Sequence, residues 1–427
     1  MNQRALSLAS ALLLASLPIL SSAQETSGIE DERMQEIARH NEEEWQGPQN
    51  KVTVGFRVLN SGGTVNFSRL GTVPAKTVAP ASEGAVNRNY DDGYVLADAP
   101  RAEEVDANGN QISTPGGRYP IYTTLADGTK IQVGEGLGYE AGLSREWKEY
   151  TQAQLDARPG YVALTNYSTQ SEGGAFEKES GMAAGVEMEY SRTFGRISRR
   201  IQWGVTTGLT LNSISSKTSG SVTSTLNSHT DYYAIHGTLP DFPDGGHTGP
   251  TGIPYIVDGV IVSGSGLETT VPLSQTQDAV STNNSVAGGA TVQGRWDVKG
   301  AYFMMKLGPS LHAQFTDRWE MTASAGFAGA YAGSTYTGAE TFTVAGLPDG
   351  STPGVQDIQQ SNANKFLTGY YADLTIEWAA NDRTALFGGI AAQQLSDYEQ
   401  TLADTGQLAR IDLGTAVGVR GGISIRF

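Results

Sequence analysis

A transmembrane, antiparallel up-and-down β-barrel is the fold class this sequence predicts, and three observations predict it. The first is the closing stretch. From Ile411 every second residue reads Ile411, Leu413, Thr415, Val417, Val419, Gly421, Ile423, Ile425, Phe427, with Asp412, Gly414, Ala416, Gly418, Arg420, Gly422, Ser424 and Arg426 between them. Alternate side chains leave a strand on opposite faces, so one face is apolar and the other small or charged, as lipid outside and a polar lumen inside require. The second is the rhythm of the connections. Tight turns fall near 195–199, 316–318 and 379–383, and long connections near 60–135, 215–299 and 337–363. Short and long alternate, as in barrels with short periplasmic turns and longer outer loops. The third is tryptophan: Trp147, Trp203, Trp319 and Trp378 fall at the expected periplasmic strand ends, where an aromatic girdle belongs. Directions assigned in this way give ten strands, with twelve as the alternative.

The row Ile423, Ile425, Phe427 is where a family resemblance enters. It resembles the carboxy-terminal strand of Gram-negative outer-membrane β-barrel proteins, which ends in Phe. The resemblance implies the cell outer membrane as location and recognition of these residues by the barrel-assembly machinery. It also implies periplasmic chaperones during export, and outer-membrane lipid and lipopolysaccharide as neighbours. It names no activity.

The other end agrees. Arg4, the apolar run Leu6 to Leu20 and the small residues Ser21-Ser22-Ala23 read as a signal peptide over 1–23, with a mature chain starting at Gln24. Beyond it no apolar run is long enough for a spanning helix, and only helices and closed barrels satisfy every backbone group in lipid. The chain has no cysteine, which excludes disulfides and thiolate metal sites. Its formal net charge is -16, or -17 once Arg4 leaves with the leader, so a basic nucleic-acid footprint is absent.

Taken in order, 24–50 is an acidic periplasmic segment and 51–427 the barrel. Val52, Val54, Phe56 and Val58 open the alternation. The long region 60–135 carries two hairpin signals, Asn108-Gly109 and Asp127-Gly128. Leu137 to Leu143 and 159–168 read as further barrel strands, followed by Met182 to Tyr190 and its partner Ile201 to Leu211. Residues 215–299 read as a second large polar loop, after which Ala301 to Phe315, Met321 to Tyr336, Phe366 to Trp378, 384–397 and the last strand complete the set. A soluble sandwich or β-helix also alternates, but its outward positions are polar, whereas here the second face is mostly Gly, Ala, Ser and Thr.

Charged residues on the small-residue face should point inward: Glu140, Glu146, Glu187, Glu189, Lys306, Asp373, Glu377, Asp412, Arg420 and Arg426. Either they line a small-solute channel, whose charged rings tune selectivity, or they pair and fill a narrow barrel. Among the histidines, His40 lies in the acidic segment and His312 on a lumen-facing row. His229, His236 and His247 share the loop 215–299 with Asp231, Asp241, Asp244 and Asp258. Ten strands is also the number in the omptin proteases, and His229 with Asp231, beside Asp241 and Asp244, is the nearest imitation of a water-activating set, without an omptin motif. No catalytic, metal or cofactor residue follows from these spacings. The expected function is a surface or envelope protein acting through its loops. A porin-like channel is the alternative, and a barrel-embedded hydrolase the third reading.

Overall fold

The computed structural model describes residues 49–60, 63–97, 118–125, 127–137, 142–249, 255–257, 260–262, 269, 271–347 and 351–427. The expected leader, the acidic segment up to residue 48 with His40, the Asn108-Gly109 turn, Glu140 and Asp258 lie outside the described residues.

Eight strands close a ring: Asn50–Leu59 (β1), Ala183–Ser198 (β2), Ile201–Ala234 (β3), Thr282–Gln314 (β4), Trp319–Phe342 (β5), Gln359–Ala379 (β6), Thr384–Leu395 (β7) and Thr415–Arg426 (β8). Each pairs antiparallel with its neighbour in the chain, and β8 returns to β1 with Val52 opposite Ile425 and Val58 opposite Val419. No edge is left inside the ring, which is what hydrocarbon demands of a sheet. The outside carries a belt of exposed apolar residues that includes Phe56, Met188, Leu211, Phe303, Met305, Phe327, Tyr331, Phe366, Ile376, Val419 and Ile425. The positions between them are buried and largely polar: Thr53, Glu187, Thr206, Lys306, Thr322, Asp373 and Arg420. A ring apolar outside and polar inside is a membrane-spanning β-barrel of the outer-membrane type.

The ring has two strands fewer than the ten expected. Tyr161–Ser171 pairs with the stretch Ser224 to Ala234 of β3; of the expected strand Leu137 to Leu143, residues 138–141 lie outside the described residues and Leu143 forms a single bridge with Ser274. The hairpin signalled by Asp127-Gly128 is present, with Arg118–Thr124 paired to Lys130–Leu137. The cause is the length of β3 and β4, 34 and 33 residues. About 9–11 residues cross a bilayer, so both strands continue above it and offer pairing edges there. The expected loop 215–299 is thus sheet over much of its course, and Ser215 to Ser224 pair residue by residue with Ala290 to Lys299.

A collar of Tyr398–Thr401, Leu408–Asp412, Thr64–Leu70 and Gly174–Glu179 caps the other side of the ring. Inside this upper section the polar interior gives way to an apolar core, with Phe67, Trp296, Tyr336, Phe342, Leu402 and Ile411 all buried. Fully burying such side chains contributes about 1.5–3 kcal/mol each. Beyond it, Arg88–Asn89, Gly93–Ala97, Ser144–Glu149 and Thr248–Gly249 form an outer sheet, and Trp147, Val162, Leu164, Tyr233 and Leu273 make its core.

The closing alternation is broken once. Ile411 and Leu413 are buried in the upper core, whereas Val417, Val419, Ile423 and Ile425 are exposed on the belt. Gly414 sits between them at φ +24°, a value that disfavours residues with a Cβ, and its N–H donates to Asp412 Oδ1 at 2.8 Å. This turn shifts the faces by one residue and separates Leu408–Asp412 from β8. Asp412, expected in the lumen, therefore points outward and is exposed.

The native chain lacks cysteine, so single labels report the register directly. A fluorophore on Val417→Cys or Val419→Cys should be quenched by brominated acyl chains, and one on Ile411→Cys should not. Quenching at all three positions would restore an unbroken alternation.

Candidate functional site

The barrel strands bring their inward charges into stacked layers. Nearest the short turns, the Lys51 ammonium reaches Glu377 and, at 3.2 Å, Glu320. Arg426 Nη2 meets Glu320 Oε2 at 2.7 Å, Ser424 Oγ donates to Glu377 at 3.1 Å, and His312 Nδ1 lies 3.1 Å from Glu320. Above this, Arg420 holds Glu187 and Glu189 at 2.7 Å and Asp373 at 3.1 Å. Lys306 shares Glu189 and Asp373 with it. Gly208 makes the space for this layer: a Cβ there would come within 2.8 Å of both Glu189 Cγ and Lys306 Cε. A third layer links Arg57 to Gln393 at 2.9 Å and Gln393 to the Tyr302 hydroxyl, and the apolar core closes the stack. The cavity left between Lys51, Glu189, Thr375, Glu377 and Arg420 is ≈ 20 Å³, room for about one water.

Glu187, Glu189, Lys306, Asp373, Glu377 and Arg420 thus line the lumen as expected from alternation, while Glu146 accepts the Tyr94 hydroxyl at 2.6 Å in the outer sheet. Trp203, Trp319 and Trp378 are exposed at the short-turn end, with Trp319 opposite Trp378. Trp147 is corrected. It is fully buried in the outer sheet and its Nε1–H donates to Val271 O at 2.8 Å. The segment 144–149 pairs above the ring and never reaches the periplasmic interface. Phe427, Ile425 and Ile423 lie exposed on the lipid side at the end of β8.

The second concentration of chemistry is the outer face of the molecule. Tyr90 OH donates to Asp231 Oδ2 at 2.7 Å and contacts Tyr233 OH at 2.8 Å. His229 Nε2 lies 3.2 Å from Asp231 Oδ1 and its Nδ1 is 2.7 Å from Asn283 Oδ1. Asp231 and Asn283 thus hold the ring from both sides. Asp241 and Asp244 are exposed elsewhere. His236 contacts Ser274 Oγ at 2.9 Å. His247 is buried against Glu149, which also accepts its backbone N–H at 2.7 Å, and this clamp fixes the chain after Gly246. Among the described residues, no group of three or more His, Asp and Glu side chains is placed to hold a metal.

The neighbouring aspartates Asp91 and Asp92 differ in partners. Asp91 pairs with Lys76 at 2.8 Å and accepts the Tyr167 N–H at 2.7 Å. Asp92 accepts the Thr165 N–H at 2.6 Å, and among the described residues no cation is paired with it. It borders a pocket of ≈ 250 Å³ with Thr151, Thr165, Tyr167, Thr230 and Tyr232. Thr165 and Thr230 hydroxyls touch at 2.9 Å. A carboxyl, hydroxyls and two aromatic rings around one hollow suit a small polar, hydroxylated ligand. Sequence reading missed this pocket because Asp92, Thr165 and Thr230 lie on three segments far apart in the chain.

Burial pushes the Asp92 carboxyl up to about 7. An unfolded aspartate titrates near 3.9, so the folded state keeps the extra proton across that interval and loses stability as pH rises through it. Asp92→Asn should be more stable than the parent at pH 8, by up to about 3–4 kcal/mol, and no more stable at pH 4. Hydrogen-exchange protection of Tyr161–Ser171 measures the difference; an equal gain at both pH values would refute the linkage. In the lumen, Arg420→Ala leaves Glu189 and Asp373 with Lys306 and takes away the ion-pair partner of Glu187, and it should cost about 3–5 kcal/mol in vesicle refolding.

No protein-family model matches the chain, and no curated protein matches it. Among solved structures, the outer membrane protease OmpT from Escherichia coli aligns over 89% of this chain and 97% of its own, at 7% identity and a TM-score of 0.23. A Pseudomonas aeruginosa FadL homologue aligns over 90% of each chain, at 10% identity and a TM-score of 0.15. The TodX deltaS2S3 mutant monoaromatic hydrocarbon channel aligns over 89% of this chain and 91% of its own, at 7% identity and a TM-score of 0.15. At these TM-scores the alignments carry no weight here, and the assignment to an outer-membrane barrel rests on the closed ring and its apolar belt.

Proposed function

We propose that the barrel is an anchor and that the outer sheets it carries do the binding, as a surface or envelope protein rather than a channel or a hydrolase. The filled lumen carries this reading. A barrel of eight strands has an interior about as wide as the side chains that fill it, and here three polar layers and an apolar core occupy it, the cavity between Lys51, Glu189, Glu377 and Arg420 measuring ≈ 20 Å³. Paired charges of this kind act as fillers: Lys306, Glu189 and Asp373 are each held by two partners and Arg420 by three. The binding surface is then the outer region, where the pocket at Asp92 offers a hollow for a small ligand. We assign the exposed terminal row Ile423, Ile425 and Phe427 to recognition by the assembly machinery, because it adds apolar surface at a strand end that already pairs with β1.

Purified protein in planar bilayers should give no unit conductance steps across the voltage range in which the bilayer itself is stable. Reproducible steps that scale with protein added would support the channel alternative and sink the anchor reading. For assembly, Phe427→Ala should reduce the heat-modifiable form in the outer membrane several-fold, and unchanged levels would remove the assignment.

A further inference from the structure

We infer that the pocket at Asp92 takes a small hydroxylated amine, with the ammonium group against the Asp92 carboxylate and the hydroxyls among the threonines. This rests on the reading of the outer region as the binding surface, and it names the charge that the pocket selects.

The chain sets two acids side by side, and the fold treats them differently. Asp91 is neutralised by Lys76 at 2.8 Å. Asp92 is 7% exposed, accepts the Thr165 N–H at 2.6 Å, and is paired with no cation among the described residues. A buried carboxyl without a counter-charge is costly to ionise, so it either keeps its proton or takes a cation from outside. The carboxyl also acts on the wall of the hollow. Tyr167 lines the same ≈ 250 Å³ pocket, and burial together with the Asp92 charge pushes its phenol above the ordinary value.

The other charges nearby are engaged elsewhere. Arg158 lies over the Tyr161 ring at 3.8 Å and 5.3 Å from the Tyr232 centroid, but Asp278 pairs with it at 2.8 Å. His229 and Asp231 alternate with Thr230 and Tyr232 along β3, so they belong to the opposite face, where they meet each other at 3.2 Å. Asp156 is exposed and accepts the Gln152 amide at 3.0 Å.

The lining suits an organic cation. Tyr167 and Tyr232 bring aromatic rings, which attract an ammonium, and Thr151, Thr165 and Thr230 bring hydroxyls. A calcium ion needs about 6–8 oxygen ligands, and no group of three or more acidic or histidine side chains is gathered among the described residues. An anion would meet the unpaired Asp92 on a chain of formal charge -16, a field that concentrates cations instead. Drug-sized ligands occupy about 300–1,000 Å³, so the hollow limits its occupant to a few carbons. A lipid headgroup is out of reach. At about 3.4 Å per residue and a tilt of about 40°, Thr230 stands roughly 50 Å along β3 beyond Leu211 of the apolar belt.

Burial holds the free Asp92 carboxyl up to about 7. An ammonium favours the ionised form, so affinity rises as pH climbs through that value, and binding below it releases a proton. Isothermal titration calorimetry on the full-length protein in detergent tests this, with 3-amino-1,2-propanediol as the probe and glycerol as its neutral counterpart. As an alkylamine the probe stays charged up to pH 8. It should bind at least tenfold more tightly than glycerol at pH 8, and at least tenfold more weakly at pH 5.5 than at pH 8. At pH 6 its heat should vary with the ionisation enthalpy of the buffer, reporting close to one proton released per amine bound. Asp92→Asn should abolish both the preference for the amine and the proton release. Equal binding of amine and glycerol by the parent would overturn the inference and leave the pocket as a site for neutral ligands. Amine binding that survives in Asp92→Asn, or that releases no proton at pH 6, would overturn it as well. Binding of neither compound would remove the pocket reading and the inference together.

Discussion

The pairing of Asn50–Leu59 with both of its neighbours is the constraint on which the rest depends. This strand takes Ala183–Ser198 on one edge and Thr415–Arg426 on the other, and so turns an open sheet into a ring. In hydrocarbon an unpaired backbone group costs several kcal/mol, so closure is what permits the apolar belt to exist at all. Once closed with eight strands, the ring dictates its own interior. It is wide enough for side chains and little more, so the inward charges pair across it, and Arg57 is held by the amide oxygen of Gln393.

Arg420 and Lys306 meet that demand at one level, Lys51 and Arg426 at another. Taking such charges out of water is expensive, and excellent geometry is needed to recover the cost. Inserting an apolar residue is the cheaper solution where the wall outside is wet, and the upper section uses it. There Trp296, Tyr336 and Phe342 fill the interior while Lys299, Arg295 and Thr337 face out. The same strands therefore invert their polarity along their length: polar within and apolar without at the bilayer, apolar within and polar without above it.

That inversion explains how a membrane barrel supports a folded outer region without a separate linker. Ile201–Ala234 and Thr282–Gln314 carry the sheet outward as continuous strands, and Tyr161–Ser171 completes it. The outer sheet then has its own core around Trp147 and a buried clamp between His247 and Glu149. Rigid support of this kind holds a surface pocket such as that at Asp92 in one shape, which loops alone would not do.

The sequence alone determined the class of fold, the lipid-facing rows and most of the lumen charges, because strand alternation has a period of two and needs only local order to be read. Val417, Val419, Glu187 and Asp373 were legible on that ground. Tertiary structure decided whatever depended on which strand meets which. It reduced the ring from ten strands to eight, because Tyr161–Ser171 pairs with the far half of a strand longer than a bilayer needs. It moved Trp147 from a girdle to a buried core, and it placed Asp412 outside through one turn at Gly414. Asp92, Thr165 and Thr230 share a pocket only because long-range register brings them together. No local pattern encodes a register, since it is set by the sum of contacts along two strands at once.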